Sequence, residues 1–186
     1  MSHYMDIWRE RKSAIEGLLG PADDSVLTST VPIYLGGFAD VMAFSDFIPG
    51  KTYVTGGLVG LGSQRPNQLG DYELMICTRE PSKWAGNLIS RLARYTHDAE
   101  LNPGETMSIE SALPKGSSVS ALVFTQPDLE FGEYFVNGDS AHLLLCIGIT
   151  PAELKLSRSK GADDLLSLLK ENEVSPYTDL KRKSTV

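Results

Sequence analysis

The run His142–Ile149 is nearly all apolar, and a helix start follows it without a break. A stretch this short and this apolar reads as a strand buried on both faces, so it predicts a central position in a sheet. Thr150-Pro151-Ala152-Glu153 then supplies a complete N-terminal helix signal. Thr150 can accept from the third helical amide, and Glu153 can reach back to the Thr150 amide. Pro151 takes the first helical position, where its missing N–H costs nothing. The chain therefore has to place helices against a sheet.

Other segments fit that frame. Residues Asp6 to Leu19 predict a helix with Tyr4, Trp8, Ile15 and Leu18 on one stripe, stopped by Gly20-Pro21. Val31–Leu35, Asp40–Phe44 and Thr52–Thr55 are candidate short strands between turn residues. Asp71–Cys77 alternates Tyr72, Leu74 and Ile76 against Glu73, Met75 and Cys77, a strand with at least one buried face. Glu80-Pro81-Ser82 opens a long helix ending near His97–Glu100. Its stripe of Trp84, Leu88, Leu92 and Tyr95 faces a core, with Arg91 and Arg94 off the stripe. Met107–Ile109 and Val119–Thr125 read as strands. A Leu-rich helix follows Gly161, and Lys181-Arg182-Lys183 reads as a solvated end.

At 186 residues the length predicts one domain, and such a domain can bury enough surface to need neither metal nor disulfide. No segment breaks it, so one domain over 1–186 is expected. Cys77 and Cys146 each sit in an apolar strand-like run and read as buried small hydrophobes in a reducing compartment. The net charge of −7 repels phosphate backbones and anionic lipid. Nucleic acid and membrane partners are not expected, and a basic protein partner gains weight. No apolar stretch is long enough to span a bilayer, and the N-terminus lacks the pattern of a signal peptide. The expected location is the cytoplasm.

Catalytic motifs are missing. The run Gly56-Gly57-Leu58-Val59-Gly60-Leu61-Gly62 lacks the order of a nucleotide loop, and no G-K-[ST] follows it. A flexible connection or a close backbone approach accounts for it better. His3, His97 and His142 are isolated, no H-x-x-x-H pair exists, and no G-x-S-x-G forms a nucleophile elbow. Asp128–Asp139 interleaves Asp128, Glu130, Glu133 and Asp139 with Phe131, Tyr134 and Phe135. Rings in an acidic setting suit recognition of a basic, partly apolar protein surface, or else they tuck back onto the core.

Four blocks, in order, resemble the suppressor-of-fused domain family. They are Tyr72-Glu73-Leu74-Met75-Ile76; Leu92-Ala93-Arg94-Tyr95 with Gly104-Glu105 following; Leu122-Val123-Phe124-Thr125 before Gln126-Pro127-Asp128; and Ile147-Gly148-Ile149-Thr150-Pro151-Ala152-Glu153-Leu154, followed by Gly161 and Asp179-Leu180-Lys181-Arg182. The resemblance implies an α+β fold with a mixed, mainly antiparallel sheet packed against helices. In eukaryotic members it implies an inhibitory adaptor of Hedgehog signalling that is joined to a second domain. That adaptor grips an extended peptide of a transcription factor as an added strand. The Tyr of L-A-R-Y and the acidic residue after the following Gly belong to that grip, which places it at Tyr95 and Glu105. Glu105 stands where the adaptor has Asp, and the intervening loop is shorter. Free-standing single-domain relatives resemble bacterial immunity proteins, which bind and neutralise a toxin.

The expectation is a non-catalytic protein-binding module, an immunity protein among the forms it can take. Tyr95, Glu105, Glu130, Phe131 and Tyr134 are its candidate partner-binding residues. It has no catalytic residue, metal or cofactor. The partner is another protein, either a toxin or a peptide segment, with a basic one in view. The alternative is a small-ligand-binding protein or enzyme using Gly56–Gly62 and nearby carboxylates.

Overall fold

The computed structural model describes residues 2–24, 27–60, 64–129 and 132–186, with side chains from Asp6 onward at the N-terminus. Its elements run α1 (Ser2–Leu19), β1 (Val41–Phe44), β2 (Lys51–Thr55), β3 (Asp71–Thr78), α2 (Lys83–Tyr95), β4 (Thr106–Ser108), β5 (Ala121–Thr125), β6 (Glu133–Val136), β7 (Asp139–Ile149), α3 (Pro151–Lys160) and α4 (Ala162–Glu171). The sheet order is β1-β2-β3-β7-β5-β4, with β6 paired to β7. Only the β3–β7 pairing is parallel among the named strands. The fold is α+β with a mixed, mainly antiparallel sheet.

The apolar run is the centre of that sheet. On one side β7 pairs with β3 through Ala141–Leu145. On the other it pairs with β6 over its first residues and β5 over its last. Alternation divides its side chains between two cores. Ala141, Leu143, Leu145, Ile147 and Ile149 face a core closed by α1 and α4. Leu144 and Cys146 face a second core closed by α2. β3 divides the same way, so both its faces are buried. Cys77 and Cys146 are free, buried and on opposite faces. Burial pushes the Cys77 thiol up to about 11 and the Cys146 thiol higher still.

Three segments depart from the sequence expectation. Val31–Leu35 is not a strand: Ile33–Leu35 forms a 3-10 turn closed at Gly36, whose φ of +85° is left-handed. Helix α1 starts at Ser2, and its buried line is Ile7, Arg11, Ile15 and Leu19, a rotation that brings an arginine into the core. In α2 the buried stripe is Ala85, Leu88, Ile89 and Leu92, with Trp84 at its margin and Tyr95 45% exposed. The helix also stops earlier than expected, because Thr96 closes it by donating its hydroxyl to the Ala93 carbonyl.

Ile89 is fully buried at the centre of the α2–sheet contact. Ile89→Ala should cost about 2–5 kcal/mol through lost burial and the cavity left behind. Urea unfolding measures this, and an unchanged midpoint would mean that α2 does not seat on the sheet.

Candidate functional site

The site is built where α2 ends beside the sheet edge. Pairing puts Thr106, Met107 and Ser108 of β4 opposite Val123, Leu122 and Ala121 of β5. The flanking bonds are Phe124 N–H to the Glu105 carbonyl at 3.0 Å and Ile109 N–H to the Ser120 carbonyl at 2.9 Å. The Glu105 carbonyl, the Met107 backbone and the Ile109 N–H therefore point to β5, while the Glu105 N–H turns to the Asn102 carbonyl at 3.1 Å. Antiparallel alternation turns the backbone groups of Thr106 and Ser108 outward. Among the described residues no strand covers this outer edge.

Glu105 sits at the mouth of β4 and is held there. Its carboxylate accepts from the Asn102 backbone N–H at 2.9 Å and from Asn102 Nδ2 at 3.3 Å. These bonds tie off the turn through Gly104, whose φ of +86° disfavours any other residue. Asn102 is fixed in turn, since its Oδ1 accepts from Gln68 N–H at 3.0 Å. Tyr95, the last residue of α2, faces the same open groove, which has a volume of about 430 Å³. Glu100, Met107, Phe124 and Arg158 of α3 complete its walls. A second hollow of similar size, about 430 Å³, continues along the edge between Trp84, Leu88, Arg91 and Ile109. Tyr95 and Met107 border both. The arrangement offers a bare strand edge, apolar floor and charges of both signs.

The other predicted site residues are not brought to this groove. Tyr134 is 4% exposed and packs in the α1 core, on the opposite face of the sheet. Burial pushes its hydroxyl well above the ordinary tyrosine value, the Glu73 charge adds to that, and the oxygen has no hydrogen-bond partner. Glu130 and Phe131 lie outside the described residues. Within the acidic and aromatic segment, Glu133–Val136 forms a hairpin with β7, so Glu133 and Phe135 point out while Tyr134 and Val136 point in. Asn137 and Gly138 make the hairpin turn, both with positive φ.

Sequence reasoning missed the buried pair Arg11–Glu73, with both side chains fully buried. Glu73 Oε1 accepts from the Leu58 and Val59 amides at 2.8 and 3.0 Å, and Oε2 accepts from Thr55 Oγ1 at 2.5 Å. Arg11 donates to the Gly56 and Val59 carbonyls. The Gly-rich run thus spends its amides at 58 and 59 on a carboxylate of its own chain; Leu61 and Gly62 lie outside the described residues. A Cβ at position 56 would stand 2.4 Å from the Trp8 ring, so the glycine there serves close packing. His142 approaches the Gly132 carbonyl through Nδ1 at 3.3 Å. Among the described residues no cluster of three His, Cys, Asp or Glu could hold a metal, and no helix is long and apolar enough to cross a membrane.

Residues 39–183 match the family model of suppressor of fused protein (SUFU). No curated protein sequence matches the chain. A chain of the Sufu–Fu complex superposes with TM-score 0.74 at 14% identity, covering 97% of this chain and 91% of that one. A structure described as a SUFU homolog from Neisseria gonorrhoeae gives TM-score 0.72 at 20% identity, covering 98% of each. Drosophila Suppressor of Fused gives 0.70 at 15% identity, covering 96% of this chain but 50% of that one, so the present chain spans half its length.

Proposed function

We propose that this chain, which belongs to the suppressor of fused protein (SUFU) family, is a non-catalytic protein-binding module that takes an extended partner segment along the edge of β4. The observation that carries this reading is the β4 edge, uncovered by any strand among the described residues, lying beside Tyr95 and Glu105 in one groove. An incoming strand would gain main-chain hydrogen bonds there, and the groove would select its side chains. The Tyr95 ring supplies apolar contact with a polar tip, and the Glu105 and Glu100 carboxylates suit a basic group on the partner. The similar chain found in a Sufu–Fu complex supports protein binding as the mode of action. The finer reading is an immunity protein of the cytoplasm that neutralises a toxin through this groove.

The test starts by capturing the partner on the intact chain, identifying it by mass spectrometry and measuring its affinity by calorimetry. Tyr95→Ala and Glu105→Lys should each weaken binding at least tenfold, about 1.4 kcal/mol or more. Glu105→Lys also removes the Asn102 bonds, so Glu105→Gln is the discriminating variant. Its amide oxygen can still accept from the Asn102 N–H while the charge is gone. A tenfold loss with Glu105→Gln and an unchanged unfolding midpoint supports the groove. Full retention of binding by both Glu105 variants would move the interface elsewhere.

A further inference from the structure

Every charged residue on the solvent side of α2 is cationic. Lys83, Asn87, Arg91 and Arg94 fall four, four and three residues apart and all are exposed, so they form one ridge along the helix. No acidic residue lies within Lys83–Tyr95. Among the described residues, Lys83, Arg91 and Arg94 make no ion pair. This ridge stands out on a chain whose net charge is −7.

One flank of the ridge is apolar and exposed. Of the eight large apolar side chains exposed among the described residues, five fall between positions 27 and 38: Leu27, Val31, Tyr34, Leu35 and Phe38. Exposed apolar residues are ordinarily scattered singly, and their concentration marks an interaction surface. The segment is ordered by its own bonds. Gly37 N–H donates to the Pro32 carbonyl at 3.1 Å, and Ser29 Oγ donates to the Val31 carbonyl at 2.6 Å while accepting from Phe38 N–H at 3.3 Å. It is also pinned to α2: Ser90 Oγ donates to the Ala39 carbonyl at 2.5 Å, and Ala39 N–H donates to the Ser90 carbonyl at 3.3 Å. Ile33 anchors it in the core, leaving its neighbours outside. Between this loop and α2 lies a hollow of about 470 Å³, walled by Leu27, Val31, Phe38, Asn87 and Ser90. Asn87 also borders the hollow on the other flank.

We infer that the ridge and this hollow form a second protein-docking surface, whose occupant is an acidic segment of another protein carrying aliphatic or aromatic side chains. Carboxylates would meet Lys83, Arg91 and Arg94, while apolar side chains seat against Leu27, Val31 and Phe38. A basic segment is rejected by the ridge, because like charges brought together at an interface cost binding. A second copy of the chain fits less well, since its own net charge of −7 repels it. This surface meets the β4 edge at Asn87 and Arg91, which line the second hollow there, but it includes neither Tyr95 nor Glu105 and does not depend on them.

A random 12-residue peptide library displayed on phage, panned against the intact chain, tests this. The expected consensus combines Asp or Glu with Leu, Phe or Trp. Binding of the synthesised consensus peptide, followed by fluorescence anisotropy, should fall at least tenfold with Arg91→Glu/Arg94→Glu and with Val31→Asp. It should also weaken as salt is raised. Both variants change exposed residues, and matched circular dichroism and unfolding curves check that they fold. A basic or uncharged consensus, no enrichment, or clones indifferent to both variants would overturn the inference. So would self-association in sedimentation that Val31→Asp abolishes, because the occupant would then be a second copy. Glu105→Gln separates the two surfaces. Clones sensitive to Glu105→Gln alone refute this inference and leave the β4 groove standing; clones sensitive to the ridge variants and indifferent to Glu105→Gln support this inference.

Discussion

Replacing Glu73 by glutamine should destabilise the fold by about 3–5 kcal/mol, the loss expected when one partner of a buried ion pair is removed. The carboxylate is the acceptor for two backbone amides and a hydroxyl, and it faces the Arg11 guanidinium at 3.4 Å. A glutamine keeps one acceptor oxygen. It leaves the Arg11 charge uncompensated at full burial and turns an NH2 toward Thr55, whose hydroxyl already accepts from Leu74 N–H at 2.8 Å. Desolvating an unpaired charge is the dominant cost, well above that of one lost neutral hydrogen bond at about 1 kcal/mol. Arg11→Met should cost about as much as Glu73→Gln, because it leaves the Glu73 carboxylate fully buried without its cation and orphans the carbonyls of Gly56 and Val59. The double variant should therefore lose less than the two single losses added. Urea unfolding at neutral pH reads all three. A Glu73→Gln loss below 1 kcal/mol would mean that water reaches the pair.

That network also shows where the sequence was legible. Periodicity exposed β3 and α2, because each buries a regular set of side chains and the period follows from backbone geometry; an unbroken apolar run exposed β7, and a helix-start signal exposed α3. The capping box was readable to the atom: Thr150 N–H donates to Glu153 at 2.8 Å, and Thr150 Oγ1 accepts from Glu153 N–H at 3.4 Å. Arg11 and Glu73 were illegible because their partnership joins α1 to β3, far apart in sequence, and each alone looks like a charge on an amphipathic element. Within the candidate site, position was legible for Tyr95 and Glu105, which the structure places in one groove. The hairpin was a different failure. Glu133–Val136 alternates, and Asn137-Gly138 is a strong local hairpin signal. Weighing the acidic and aromatic residues as a surface hid the period that turns Tyr134 inward. Lys181-Arg182-Lys183 misled in the opposite direction: it looked like a solvated end, yet the Arg182 side chain is only 9% exposed and pairs with fully buried Glu153.

The Arg182 pairing leads to the second large effect. Arg182 donates from both terminal nitrogens to Glu153, at 2.6 and 2.5 Å, and reaches the Gly148 carbonyl at 2.9 Å. Thr185 adds its backbone N–H and its hydroxyl to the same carboxylate, each at 2.9 Å. Burial alone would raise the Glu153 carboxyl, but the bonds from Arg182, Thr150 and Thr185 outweigh it and hold the group at about 2, against an ordinary 4.5. A folded value below the unfolded one stabilises fully above pH 4.5, and that stability drains away as pH falls toward 2. After allowance for screening at the partly exposed guanidinium, the contribution is about 2 kcal/mol. Arg182→Met should cost about 3–5 kcal/mol at neutral pH, because Glu153 stays buried without its cation. The variant should also lose the extra acid sensitivity, so the gap between wild type and variant should narrow by about 2 kcal/mol from pH 5 to pH 2. Comparing the two proteins cancels the titration of the other carboxylates. Parallel stability curves over that range would show that the tail does not govern Glu153. The consequence reaches the groove, because Glu153 opens α3 and Arg158 of the same helix forms one groove wall. Loosening the tail should weaken partner binding at pH 7 even in molecules that remain folded, and calorimetry on Arg182→Met below its unfolding temperature would detect it.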